Sequence, residues 1–129
     1  MKAQPILLVS GLLLCGCGMA ALFAPQDIAG MLGASRDGAN PLVVQLLGAG
    51  IFALGFLDWF SRFSTIGGIY GRPVLLANFA YFFSTTATLF RHALASGNAR
   101  LEWLLVGIGA MFAVWYARYL FFPPKPVTK

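Results

Sequence analysis

Apolar residues along this chain come in four long runs, and none of the runs alternates with polar positions. They reach from about Ile6 to Phe23, Leu42 to Phe60, Val74 to Leu94 and Leu101 to Phe122. A helix needs about 20 residues to cross a hydrocarbon core, and each run is of that length. Spanning strands would be about half as long and would alternate. A helix also satisfies its own backbone donors and acceptors, which lipid cannot do. The pattern therefore predicts an all-α integral membrane protein. One four-helix transmembrane domain fills residues 1–122, and a short polar tail follows at 123–129.

Helix-breaking residues mark the ends of the runs. Pro25 closes the first. Asn40-Pro41 supplies a cap and a first-turn proline for the second. Arg72-Pro73 opens the third. Gly97 and Asn98 divide the third from the fourth, and Pro123-Pro124 stops the fourth. Between the first two runs, Ile28, Met31 and Leu32 share a helical face, so a short amphipathic turn on the membrane surface is expected there, ended by Gly33.

Small residues at helical spacing let membrane helices approach closely. Gly11, Cys15 and Gly18 form such a stripe on the first helix, and Gly48, Ala49, Gly50, Ala53 and Gly55 on the second. Ala77, Ala80, Ser84 and Ala87 do so on the third, and Gly109, Ala113 and Ala117 on the fourth. With short connections, an up-down four-helix bundle follows. The same stripes suit a homo-oligomer or a larger membrane-protein partner.

The third run holds most of the polar groups. Asn78, Tyr81, Thr85, Thr88 and His92 recur at alternating intervals of three and four, which makes one continuous stripe. Leu75, Phe79, Phe82, Leu89 and Phe90 fall on the far face, read as lipid-facing, with Thr86 the polar intruder there. Two functions fit the stripe. Its residues can hydrogen-bond across helices as packing contacts, worth about 0.6 kcal/mol each on average. Alternatively they line a small polar cavity for a ligand or a proton, opening at Arg91 and His92, with Gln45 of the second helix facing it.

Composition agrees with the pattern. Hydrophobic residues make up 59% of the chain and charged residues 10%, against roughly 25% charged in soluble domains. The net charge of +5 bears on orientation and anionic lipid rather than on nucleic acid, because no basic cluster with interleaved aromatics occurs. With four spans, Lys2, Arg62, Arg72, Arg118, Lys125 and Lys129 share one side. Arg36, Arg91 and Arg100 share the other with Asp27, Asp37 and Glu102. Positive charge stays inside, so both termini are expected in the cytoplasm, in a bacterial inner membrane.

The remaining chemistry is sparse. Asp58 lies near the inner end of the second run with Arg62 one turn on, and Arg118 falls at similar depth in the fourth. The three read as an interfacial ion-pair set, with a proton-coupling or substrate carboxylate as the alternative. Glu102 with Arg91 or Arg100 is the outer counterpart. Cys15 and Cys17 sit two apart on a helix, about 200° around it, so they cannot pair without unwinding. Leu14-Cys15-Gly16-Cys17 resembles a bacterial lipoprotein cleavage box, but the residues after Cys17 stay apolar, so the first run is read as a retained helix. A lone histidine is no metal site. No nucleophile triad, phosphate loop or cofactor motif is read.

Leu22–Pro25 (LFAP), Gln45–Arg62 (QLLGAGIFALGFLDWFSR) and Gly71–Phe79 (GRPVLLANF) resemble small bacterial four-helix membrane proteins of the DoxX-like kind. The resemblance implies the four-helix layout and assigns no activity. The chain as a whole reads as a non-enzymatic structural or accessory membrane subunit. Small-molecule or proton transport through the third-helix stripe is the alternative.

Overall fold

The computed structural model describes residues 4–33, 39–63, 71–95 and 100–122. They form five helices: α1 (Gln4–Phe23), α2 (Pro25–Met31), α3 (Ala39–Ser61), α4 (Gly71–Ala95) and α5 (Arg100–Phe121). Four of them are long and apolar enough to cross a membrane, over Pro5–Phe23, Asn40–Ser61, Gly71–Ala95 and Arg100–Phe121. These limits follow the apolar runs to within about three residues, the usual uncertainty at frayed ends being one or two. Lys2, Arg36, Asp37, Gly97, Asn98, Pro123-Pro124 and the tail at 123–129 lie outside the described residues.

The break between α1 and α2 is local. The Ala24 N–H still donates to the Ala20 carbonyl at 2.8 Å, but Ala24 leaves helical geometry at φ −128° and ψ 51°. Pro25 then starts α2 at a position where its missing N–H costs nothing. At the other end Leu32 N–H donates to Ile28 O at 3.1 Å and Gly33 N–H to Gly30 O at 3.2 Å. Gly33 takes φ +73°, the left-handed terminator that glycine adopts without strain. The expected turn is thus a helix of seven residues. It packs on α3, and Ala29 is wholly buried.

The chain divides into two compact units, Leu7–Arg62 and Phe63–Lys129 together with Met1–Ile6. Within Leu7–Arg62, α1 and α3 run antiparallel in backbone contact. A methyl group on Gly18 would lie 2.5 Å from Phe52 N and 2.7 Å from Phe52 Cα; one on Gly48 would lie 2.6 Å from Ala21 Cβ; and one on Gly55, 2.6 Å from Cys15 N. On Gly11 it would meet Gly55 O at 3.1 Å and Asp58 Cβ at 3.2 Å. Gly11 therefore faces Gly55, and Gly18 faces Gly48 and Phe52, with Cys15 between. The pairs lie seven residues apart on each helix, two turns, which keeps them on one face. Gly50, in contrast, has nothing within 4 Å, and Ala49 and Ala53 are exposed, so they stand outside this contact.

In the other unit α4 and α5 form a second antiparallel pair. Phe82 stacks on Phe112 at 4.8 Å and on Tyr116 at 5.9 Å. Phe79 meets Phe121 edge-on at 6.2 Å, and Phe90 meets Trp103 edge-on at 5.7 Å. Such pairs add roughly 0.5–1.5 kcal/mol each beyond area buried. This corrects the expected faces of α4. Leu75 and Phe82, expected against lipid, are 1% and 4% exposed. The small residues Ala77, Ala80, Ser84 and Ala87, expected in a helix contact, are exposed. Thr86 does not face lipid either: its Oγ1 packs directly over Gly109 of α5. The reason is stacking area. Lipid tails are as apolar as phenylalanine, so a ring is free to turn inward wherever a facing aromatic offers a better contact.

Candidate functional site

The most chemically loaded buried group sits in the α1–α3 pair. Gly55 and Asp58 are three residues apart, so they share the α3 face that touches α1. Ser10 precedes Gly11 on the facing turn of α1. Asp58 and Ser10 are both 0% exposed, and Ser10 Oγ donates to Asp58 Oδ2 at 2.7 Å. That is the short length of a hydroxyl bonded to a carboxylate. The close Gly11–Gly55 approach places them: a methyl at Gly11 would crowd Asp58 Cβ. Cys15, one turn further along α1, is within electrostatic range of Asp58. Ser10 Oγ also lies 3.5 Å from Leu7 O, one turn back on its own helix.

Asp58 is therefore buried rather than solvated at a helix end. Arg62, expected with it, is half-buried; its Nη1 donates to Trp59 O at 2.8 Å and its Cζ stands 3.9 Å over the Trp59 ring. Arg118 is exposed on α5, in the other unit.

The third-helix residues share one side of α4 and differ in burial. Asn78 is fully buried, and its Nδ2 donates to Val74 O at 3.0 Å. Tyr81 is half-buried, with its ring edge-on to Phe82 at 5.3 Å. Thr85 is half-buried, while Thr88 and Arg91 are exposed. Ser84 Oγ donates to Ala80 O at 2.7 Å and Thr88 Oγ1 to Ser84 O at 2.9 Å, so both hydroxyls are satisfied within their own helix. His92 Nδ1 lies 3.0 Å from Glu102 Oε2 of α5. Glu102 thus meets His92, across the connection between the two helices. Gln45 is on α3, in the other unit from α4, and its Nε2 donates to Leu22 O of α1 at 3.0 Å.

Ser10 is the residue that sequence reasoning missed. The signal was available: Ser10 adjoins the first glycine of the α1 stripe, and Asp58 continues the α3 stripe from Gly48 and Gly55. Antiparallel register of the two stripes brings them together. Chemically, a carboxyl and one hydroxyl can hold a proton or orient a small donor. They do not form a nucleophile system, which needs a positioned base between serine and acid.

Comparison with family models, with curated proteins and with solved structures returns no match, so the DoxX-like likeness rests on the segments quoted above.

Proposed function

We propose that the chain is a multi-pass protein of a bacterial inner membrane, an up-down four-helix bundle with both termini cytoplasmic, serving as a non-enzymatic structural or accessory subunit. One observation carries the accessory role. Helix α4 presents Ala77, Ala80, Ser84 and Ala87, all exposed, with Ala87 at the edge of a groove shared with α5. Small residues of this kind are where membrane helices approach one another. Ser84 bonds within its own helix, so the face is open to an apolar neighbour without stranding a donor. The partner is a second copy or a larger membrane protein. The test is purification from native membranes in mild detergent, with Ala80→Leu and Ala87→Leu variants alongside. A larger assembly, lost in both variants while helicity is kept, supports the role; a monodisperse monomer with no co-purifying protein counts against it.

The second reading is binding or transport of a small molecule or a proton through Asn78, Tyr81, Thr85, Thr88 and His92, with Arg91. The complete burial of Asn78 favours it. Proteoliposomes reporting proton uptake would lose it in Asn78→Leu and Thr85→Val; unchanged uptake would sink this reading.

A further inference from the structure

We propose that the groove between α4 and α5 holds an acyl chain of an anionic phospholipid, whose headgroup phosphate is held by Arg91 and Arg100. This goes beyond the accessory role and rests only on the four helices lying in a bilayer. Phe83, Ala87 and Phe90 of α4 and Ala110, Ala113 and Val114 of α5 line a groove of about 290 Å³. The three alanines leave the space, and the two rings and the valine wall it. Thr86 lines it too, but its Oγ1 is turned against Gly109, so the wall stays apolar. Along α4 the groove runs from Phe83 to Phe90, about 10 Å at the rise of a helix. Phe83 is the middle residue of the span Gly71–Ala95. The groove therefore covers much of one leaflet, whose hydrocarbon is about 15 Å deep.

Charge identifies the occupant. Arg91 follows Ala87 by four residues, which sets it one turn beyond the groove along α4. On α5, Trp103 meets Phe90 edge-on at 5.7 Å, and Arg100 precedes Trp103 by three residues, one turn nearer the helix start. Both arginines are exposed. The acidic residue at this end, Glu102, is turned to His92, with Oε2 3.0 Å from Nδ1. From mid-span outward, a bound molecule thus meets an apolar wall, then an aromatic pair, then two guanidinium groups. A phospholipid has the matching order: acyl chain, glycerol esters, phosphate. Aromatic rings favour the level of the esters, and the guanidinium fork fits phosphate oxygens. A second copy of the chain is the competing occupant, but it carries a net charge of +5 and offers the arginines no surplus anion.

The test is quenching of Trp103 fluorescence by lipids brominated on their acyl chains. The full chain is placed in vesicles, with Trp59→Phe and Trp115→Phe leaving Trp103 as the reporter. Brominated phosphatidylglycerol should bind about fivefold or more better than brominated phosphatidylcholine, since each arginine near the surface is worth about fivefold. Arg91→Gln together with Arg100→Gln should erase that preference. Ala110→Phe fills the groove and should erase it too; Val114→Phe, at an exposed lining position, guards against misfolding of the first. Equal binding of the two lipids means ordinary boundary lipid and overturns the proposal. So does a preference that survives the arginine pair, or one that survives both groove variants, which is headgroup attraction without a seated chain. Quenching by either lipid that falls as the protein-to-lipid ratio rises puts a second copy in the groove and overturns it equally. Protein that fails to float with the vesicles contradicts the membrane placement and the proposal with it, whereas the other adverse outcomes strike the lipid site alone.

Discussion

Alanine at Gly18 tests the helix contact that holds the buried carboxyl in place. The added methyl would fall 2.5 Å from Phe52 N and 2.7 Å from Phe52 Cα. Carbon contacts settle near 3.5–4.0 Å, so α1 and α3 must separate by about 1 Å. The obstructing atoms are backbone, which cannot rotate away as a flexible side chain would. Overpacking costs about 1–3 kcal/mol, and a rigid neighbour puts this case at the upper end, about 2–3 kcal/mol. Gly16 provides the control on the same helix, because nothing lies within 4 Å of its added methyl. There, alanine is neutral or gains up to about 1 kcal/mol of helix propensity. The assay is equilibrium unfolding by SDS titration from mild detergent, followed by circular dichroism and tryptophan fluorescence. Gly18→Ala should unfold well below wild type and Gly16→Ala at or above it. Equal midpoints for the two variants would refute the close α1–α3 contact.

Further variants separate the other contributions. Gly55→Ala, blocked by Cys15 N at 2.6 Å, should behave like Gly18→Ala, whereas Gly50→Ala, with open space around it, should match wild type in the same titration. Phe82→Ala removes the ring stacked on Phe112 and Tyr116 and should cost about 3 kcal/mol; Phe83→Ala, at a position 59% exposed, should cost little. A double-mutant cycle over His92 and Glu102, where the histidine side chain is 66% exposed, should return a coupling below about 1 kcal/mol, as solvent-screened pairs do. Ser10→Ala should lower stability by about 1–2 kcal/mol through the lost hydrogen bond to Asp58.

Much of the fold is written in composition and punctuation. Apolar runs bounded by Pro25, Pro41, Pro73 and the Gly97-Asn98 pair leave little choice of span, because lipid accepts only helices there. The glycines of α1 and α3 were legible for a steric reason. Gly11, Gly18, Gly48 and Gly55 are useful only where two backbones meet, so their spacing reveals the contact. The facing of α4 was not legible. In water, a phenylalanine such as Phe82 would point to the core, but in lipid both sides of the helix are apolar, and facing is decided by shape. Phe112 and Tyr116 decide it here, and they lie some thirty residues further along the chain. Polar residues mislead for a related reason: Ser84 and Thr88, from two different stripes, both bond their own helix, so neither hydroxyl need face another helix. Asp58 was readable only in register with α1. Its place near the end of α3 suggests an interfacial position; its complete burial beside Ser10 shows only once the glycine contact brings α1 alongside.

The central claim is that four helices cross a membrane with both termini on the cytoplasmic side. Single cysteines, placed in a variant lacking Cys15 and Cys17, test it by labelling intact cells with a membrane-impermeant maleimide. Cysteines in the 34–38 and 96–99 segments should label from outside. Cysteines at the N-terminus, in the 64–70 segment and in the 123–129 tail should label only after the cells are opened. Labelling of either terminus in intact cells, or equal labelling of 34–38 and 64–70, would contradict the account.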